Sequence, residues 1–438
     1  MSKKSFKVGL LGLGTVGGGT YTVLNENAQE IERRLGFPIQ VVAVAVQNIE
    51  RAKKIVGDQV QVFSDGLAVV KHPEVEVVVE LIGGYTVAKQ LVLAAIQAGK
   101  PVVTANKALL AVHGDEIFSA AAQANVPVLF ESAVAGGIPV IKALKEGLAG
   151  NQIEYVAGII NGTSNFILSE MRDKGLPFNQ VLKQAQQLGY AESDPTFDIE
   201  GIDAAHKLTL LSAIAFGIHA QFNKAHIEGI QELTAQDIAF AEELGYRVKL
   251  LGITRLVEGG VELRVHPTLI PSKRLIANVE GVMNAVSIKA NAVGSTLYYG
   301  PGAGALPTAS SVVADLIEIA RLVQAPSQCR VSTLAFQYDR LQNKPVLPME
   351  KVVTSFYLRL LVDDKPGVLA QLTSILSKHH ISIGSMIQRQ LEDEGEEAQI
   401  IMLTHSCIEG DMNKALAEIE TLDSVLDKVV RIRVEDLN

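Results

Sequence analysis

Residues 189–207 read GYAESDPTFDIEGIDAAHK and hold five carboxylates (Glu192, Asp194, Asp198, Glu200, Asp203) and one lysine, Lys207. Apolar and small turn residues surround them, whereas a merely solvated acidic loop mixes in Lys, Ser and Gln. Asp203 and Lys207 are four apart and share one face of a helix. Glu192 and Asp198 suit a substrate ammonium through charge-assisted hydrogen bonds. A lysine beside such acids can also move a proton to or from a substrate. Lys207 serves if burial or a cationic neighbour lowers its pKa. An amino-acid substrate fits this set. An i,i+4 surface salt bridge beside a solvated acidic turn fits the spacing equally well.

A second group lies at the N-terminus. Gly12-Leu13-Gly14-Thr15-Val16-Gly17 follows an apolar strand and opens a helix. Gly12 allows the tight turn, Gly14 lets the backbone approach a pyrophosphate, and Gly17 lets helix and strand pack closely. The helix start at Thr15 and Val16 supplies amide donors and the positive end of a dipole. An acid closing the second strand would grip the ribose of NAD. That strand ends instead in Val46-Gln47-Asn48, with Arg51, Lys53 and Lys54 following. The basic residues favour the 2′-phosphate of NADP over NAD; as a solvated helix face they would have no such role.

Three shorter motifs have two readings each. Lys107 ends Thr104-Ala105-Asn106-Lys107 at a strand terminus, where ligands of open α/β sheets bind, or it begins a surface loop. Asn161-Gly162-Thr163-Ser164-Asn165 offers donors to a carboxylate, or caps a helix through Thr163 or Ser164. Asp364-Lys365-Pro366-Gly367 precedes a helix start suited to a small ligand, or is a plain turn.

The elements that must position these groups follow from periodicity. Strand-helix alternation from FKVGLL at 6–11 to VPVLFESAV predicts βαβ units and a doubly wound parallel sheet over residues 1–136. Residues 137–337 mix strands with helices at 182–190, 201–217 and 234–245, an α+β domain with an open mixed sheet. A helix at 308–323 follows GPGAGALP and is expected to pack back on the first domain. Residues 338–352 read as a linker. Residues 353–438 have the order βαββαβ of a ferredoxin-like unit.

The chain has 438 residues and a net charge of −9, with no Arg/Lys block, which argues against nucleic acid as a partner. No apolar run is long enough to span a membrane. No signal peptide is read in MSKKSFKVGLLG, and Cys329 and Cys407 have no metal-ligand spacing, so a cytoplasmic protein with reduced thiols is expected.

Taken together, the motifs resemble homoserine dehydrogenase in its bacterial form with a C-terminal ACT domain, along essentially the whole chain. Ala185, Gly189, Tyr190, Ala191, Asp194, Pro195, Asp198, Gly201, Asp203 and Lys207 meet that family's central signature. DKPGVLA in a βαββαβ unit is similar to ACT. The resemblance implies L-homoserine and L-aspartate 4-semialdehyde as substrates, and a place in threonine, isoleucine and methionine synthesis. It implies Lys207 as acid/base, Asp203 assisting, and Lys107 between cofactor and substrate. It implies Glu192, Asp198, Gly162, Thr163 and Tyr190 around the amino acid, and Gly302 near the nicotinamide. It further implies a sodium ion held by Glu131, Val134, Gly136 and Ile138, with Glu131 as a simple cap for the next segment being the other reading. Threonine feedback through ACT and a homodimer or homotetramer are also implied. Two other functions share the pattern: another amino-acid dehydrogenase, and a sensor without turnover. A sensor has no need of a paired proton carrier.

Overall fold

The computed structural model describes residues 5–323, 331–390 and 397–437, so Cys329 lies outside the described residues. The first sheet is parallel and has the order β3-β2-β1-β4-β5-β6. Its strands are β1 (Phe6–Leu11), β2 (Ile39–Ala45), β3 (Gln61–Phe63), β4 (Val77–Glu80), β5 (Val102–Thr104) and β6 (Val128–Leu129). Every residue of β4 is buried, as expected of a strand covered by helices on both faces. One face packs against the Thr86–Gln97 and Lys107–Ala124 helices. The other packs Val8, Leu10, Val77 and Val79 against Val312, Val313, Leu316 and Ile319. These last four belong to the Ala305–Leu322 helix, which returns from far along the chain to lie beside the Thr15–Glu26 helix.

The central strands are β7 (Ile153–Ile159), β8 (His226–Ile227), β9 (Tyr246–Val257), β10 (Gly260–Pro271), β11 (Met283–Ala290) and β12 (Gly294–Pro301). Strands β9 and β10 form a long hairpin in which Gly260 pairs with Val257. Gly259 in the turn has φ +85°, a conformation that favours glycine. The C-terminal unit contributes β13 (Val353–Asp363), β14 (Ile383–Gln390), β15 (Glu397–Thr404), β16 (Cys407–Ile408) and β17 (Val430–Val434). Its order β17-β13-β15-β14 is that of a ferredoxin-like sheet. The Val368–Lys378 and Glu409–Ile419 helices cover one face.

The central and C-terminal units share one sheet. Strand β17 pairs in parallel with the end of β10, Thr268 with Arg433 and Leu269 with Val434. The Ala235–Glu243 helix of the central unit meets the C-terminal sheet through Asp237, which accepts from Arg359 Nε at 2.6 Å. Residues 338–352 lie along the central unit: Gln342 N donates to Gly217 O at 2.8 Å and Val261 N to Pro345 O at 2.9 Å. Among the described residues no helix is long and apolar enough to cross a membrane.

Candidate active site

Lys107 opens the Lys107–Ala124 helix; it does not end a strand, because β5 stops at Thr104. Asn106 Oδ1 caps that helix by accepting from Leu109 N at 3.1 Å. The cap is itself fixed, since Asn106 Nδ2 donates to Gly84 O at 2.7 Å and Asn106 N to Thr104 Oγ1 at 3.0 Å. Thr104 in turn donates to buried Glu80 at 2.6 Å. Lys107 therefore leaves the first sheet from a braced corner.

It points at the central unit. Lys107 Nζ lies 3.1 Å from Asp203 Oδ1, and Lys207 Nζ lies 2.6 Å from Asp203 Oδ2. Lys207 also donates to Ile160 O at 2.7 Å. Asp203 and Lys207 project from the Ile202–Phe216 helix, whose N-cap Gly201 has φ +82°. Asn161 Nδ2 joins the carboxylates, donating to Asp203 Oδ2 at 2.9 Å and to Asp198 Oδ1 at 2.7 Å. Neither Thr163 nor Ser164 is the cap of the Gly162–Lys174 helix. Asn161 Oδ1 takes that place, accepting from Ser164 N at 2.8 Å. Thr163 Oγ1 instead donates to Tyr190 O at 2.6 Å and Ser164 Oγ to Asp198 O at 2.9 Å, tying the acidic turn to this helix.

The two lysines differ in burial. Lys207 is 8% exposed, and burial lowers its pKa, with the charge of Lys107 adding to the effect. The charge of Asp203 dominates at Lys107 and raises its pKa despite burial. Burial also works against the Asp203 carboxylate, but Lys207 and Lys107 outweigh it and hold its pKa below the usual range. Asp198 is raised by burial, and Asp203 adds to this. Burial thus makes Lys207 the easier of the two lysines to deprotonate. His206, beside Lys207 on its helix, is pushed down to about 4 by burial and packs on Phe222 with ring centroids 4.3 Å apart.

The remaining sequence candidates surround this cluster. Glu192 is exposed, and its charge helps to keep Lys107 protonated. Tyr190 meets Phe166 edge-on, ring centroids 5.0 Å apart. At Gly162 an added Cβ would lie 2.7 Å from Val282 O, so a side chain there is excluded. Asp194 is exposed and accepts from Thr196 Oγ1 at 2.6 Å, a turn-shaping bond. Reading the sequence missed Asn161 as the link between both carboxylates, as well as Ile160 O and His206. An Asx residue between a strand and a helix is a cap signal; its second bonds come from residues some forty positions away.

A cavity of about 640 Å³ lies along the first sheet, lined by Gly12, Gly14, Gln47, Asn48, Arg51 and Gly83 among others. Gly12 has φ +98°, and a Cβ there would lie 2.8 Å from Leu81 O. A Cβ on Gly17 would run into the Gly12 carbonyl. At Gly14 a Cβ would meet nothing within 4 Å, so this side of the turn is free for a ligand. Gly14 makes no side-chain cap, and the first turn at Thr15 and Val16 has no acid, leaving its positive end open to phosphate. These features fit a dinucleotide. Lys53 and Lys54 are exposed and do not line the cavity; Arg51 does. Gly302 packs against Asn284 and Gly136, where the Ala305–Leu322 helix begins.

In the 131–138 turn, Glu131 is 2% exposed, and its two carboxylate oxygens accept from Ile141 N and Lys142 N, both at 2.8 Å. The side chain caps the next segment, and burial pushes its pKa up to about 7. Gly136 O accepts from Ser311 Oγ at 2.7 Å. Val134 and Ile138 are buried in the same turn. Such carbonyl donors suit a hard cation, but the carboxylate is already engaged as a cap. Among the described residues no group of three or more His, Cys, Asp or Glu could hold a metal ion.

Comparisons with known proteins identify the family. Residues 139–317 match the family described as homoserine dehydrogenase. Residues 12–131 match its NAD binding domain and 356–424 the ACT domain. A homoserine dehydrogenase of Pseudomonas aeruginosa is 57% identical, with 99% of this chain and 100% of that protein covered. The crystal structure of a homoserine dehydrogenase from Thiobacillus denitrificans superposes with a TM-score of 0.95 at 60% identity, over 100% of this chain and 99% of that one. A hyperthermophilic archaeal homoserine dehydrogenase in complex with NADPH has a TM-score of 0.63 at 26% identity, over 74% of this chain and 99% of that one.

Proposed function

The chain belongs to the homoserine dehydrogenase family, and on that premise we propose how its residues interconvert L-homoserine and L-aspartate 4-semialdehyde. The observation that carries the reading is Asp203 held between two lysines, with Asn161 joining it to Asp198. Lys207, uncharged, takes the hydroxyl proton of homoserine; in the reverse direction it returns a proton to the carbonyl oxygen. Asp203 orients Lys207. Lys107 stays charged and stabilises the negative charge developing on the reacting oxygen. Glu192 and Asp198 hold the ammonium, and a charge placed there favours ionised Asp198. Gly162 and Thr163, heading the Gly162–Lys174 helix, receive the α-carboxylate, and Tyr190 closes this end. A nicotinamide cofactor bound at the glycine loop would supply the hydride acceptor.

Gly12, Gly14, Thr15, Val16 and Gly17 would hold its pyrophosphate, and Gly302 would lie toward its nicotinamide. Arg51 in the cavity wall, without an acid closing β2, supports NADP over NAD. A sodium site at the carbonyls of Val134, Gly136 and Ile138 beside Glu131, in a structural role, rests on the family resemblance. The ACT unit supports an amino-acid effector, read as threonine, and a homodimer or homotetramer is the assembly we expect. Absorbance of the reduced nicotinamide tests this directly. L-homoserine should be oxidised at a higher kcat/KM with NADP than with NAD, and millimolar threonine should lower the rate. Arg51→Ala should narrow the cofactor preference; an unchanged ratio would remove Arg51 from that role. No effect of threonine on activity or on thermal stability would remove the effector.

A further inference from the structure

The substrate-binding turn rests on a short strap that the C-terminal unit grips. The strap is residues 226–230, and it begins with β8. Strand β8 pairs with β10, and Glu228 N donates to Val265 O at 2.8 Å. Gly229 lies against the turn carrying Asp198: a Cβ there would run into the Ile199 carbonyl and lie 2.8 Å from Glu200 Cα. Ile230 N donates to Ile199 O at 2.9 Å. Gly201, which starts the helix bearing Asp203 and Lys207, faces the strap as well; a Cβ there would lie 3.3 Å from Glu228 O. At Gly229 and Ile230 the strap meets the turn backbone to backbone, so movement of one is felt by the other.

The Glu228 side chain points the opposite way. Arg433 Nη1 donates to Glu228 Oε2 at 2.6 Å and Arg433 Nη2 to Glu228 Oε1 at 2.9 Å, a two-pronged pair. Arg433 belongs to β17, is 2% exposed, and also donates to buried Glu409 through Nε at 2.9 Å. Glu409 starts the Glu409–Ile419 helix of the ACT unit. An arginine buried between two carboxylates on different units costs desolvation that a simple apolar contact would not. It also fixes the strap in one place relative to β17.

We propose that Glu228 is a positioning residue for homoserine, through which Arg433 and the last ACT strand set the 198–201 turn. The inference rests on the reading of Asp198 and Asp203 as substrate-site residues. An amino acid bound to the ACT unit would have a route of three contacts to that turn: Glu409 to Arg433, Arg433 to Glu228, and Gly229 to Ile199.

Steady-state kinetics of Glu228→Ala and Glu228→Gln in the full chain test it. Glu228→Ala should raise KM for homoserine by roughly two- to thirtyfold, the span of coupling through packed networks. KM for NADP should stay constant and kcat should fall less than KM rises. Glu228→Gln keeps an acceptor for Arg433 and should show a smaller shift of the same kind. Combining Glu228→Ala with Arg433→Gln should raise KM for homoserine by less than the product of the single effects. Hydrogen exchange at residues 196–201 should quicken in Glu228→Ala. A purely structural role predicts less folded enzyme with both KM values unchanged, and that result overturns the proposal, as does an unchanged KM for homoserine in Glu228→Gln together with multiplicative effects. Lys207→Ala, assayed alongside, separates the two readings. An active Lys207→Ala enzyme contradicts the assignment of the site itself, whereas an inactive one with unshifted Glu228 variants contradicts only the strap.

Discussion

One carboxylate faces two lysines, and the two differ in burial. Lys207 is enclosed and its pKa is lowered, whereas Lys107 is raised by Asp203. With Lys207 as the proposed base, the rate of homoserine oxidation should rise with pH through the pKa of that lysine, below the ordinary 10.5. Reduction of the semialdehyde needs the protonated form and should fall over the same range. Neighbouring charges should move this limb in opposite directions. Asp203→Asn removes a charge that raises Lys207 and should shift the limb to lower pH. Lys107→Met removes a charge that lowers Lys207 and should shift it to higher pH. Profiles of kcat/KM against pH for the three enzymes check both signs; shifts in one common direction would mean that Lys207 is not the titrating group. The i,i+4 spacing of Asp203 and Lys207 already contained this pair. It did not distinguish an enclosed pair from a surface one, because enclosure comes from Ile160, Asn161 and Lys107, all distant in sequence.

Elements carry these groups by their ends. Four of the decisive positions, Gly14, Asn106, Asn161 and Gly201, are helix N-caps. The glycine loop was legible because its strand, turn and helix are contiguous. The start of the Gly162–Lys174 helix is only one of two readings of 161–165, since Thr163, Ser164 and Asn165 have weak helix propensity; Thr163 and Ser164 are held there by Asn161, Tyr190 and Asp198. Strand β12 was missed: Gly294, Ser295 and Gly300 dilute its pattern, and it is recognisable only by pairing with β11. Asn161 serves both helix and site, so its loss should appear twice. Asn161→Ala should cost about 1 kcal/mol of stability as a lost cap and also lower kcat/KM for homoserine. Chemical denaturation with parallel kinetics checks this. A loss of stability with unchanged kinetics would leave Asn161 as a cap alone.

At the scale of the molecule, the ferredoxin-like order of the last unit and the return of the 305–322 helix follow from local patterns. The join between the central and ACT sheets does not, because two paired residues on β10 and β17 leave no periodic trace. Buried ions guard that join. Arg255 donates to Glu435 at 3.0 Å, and Arg264, 1% exposed, pairs with the same carboxylate. Glu435→Ala leaves these cations short of a partner and should destabilise the protein by about 3 kcal/mol, measured by denaturant unfolding; a change near zero would make the join incidental. Lys207 is proposed to transfer the proton while the cofactor site stands apart from it. Lys207→Ala, assayed with L-homoserine and titrated with NADPH, tests that most directly. Turnover should fall by roughly a hundredfold or more with NADPH affinity unchanged; near-normal turnover would contradict the account and pass the proton to Lys107 or to water.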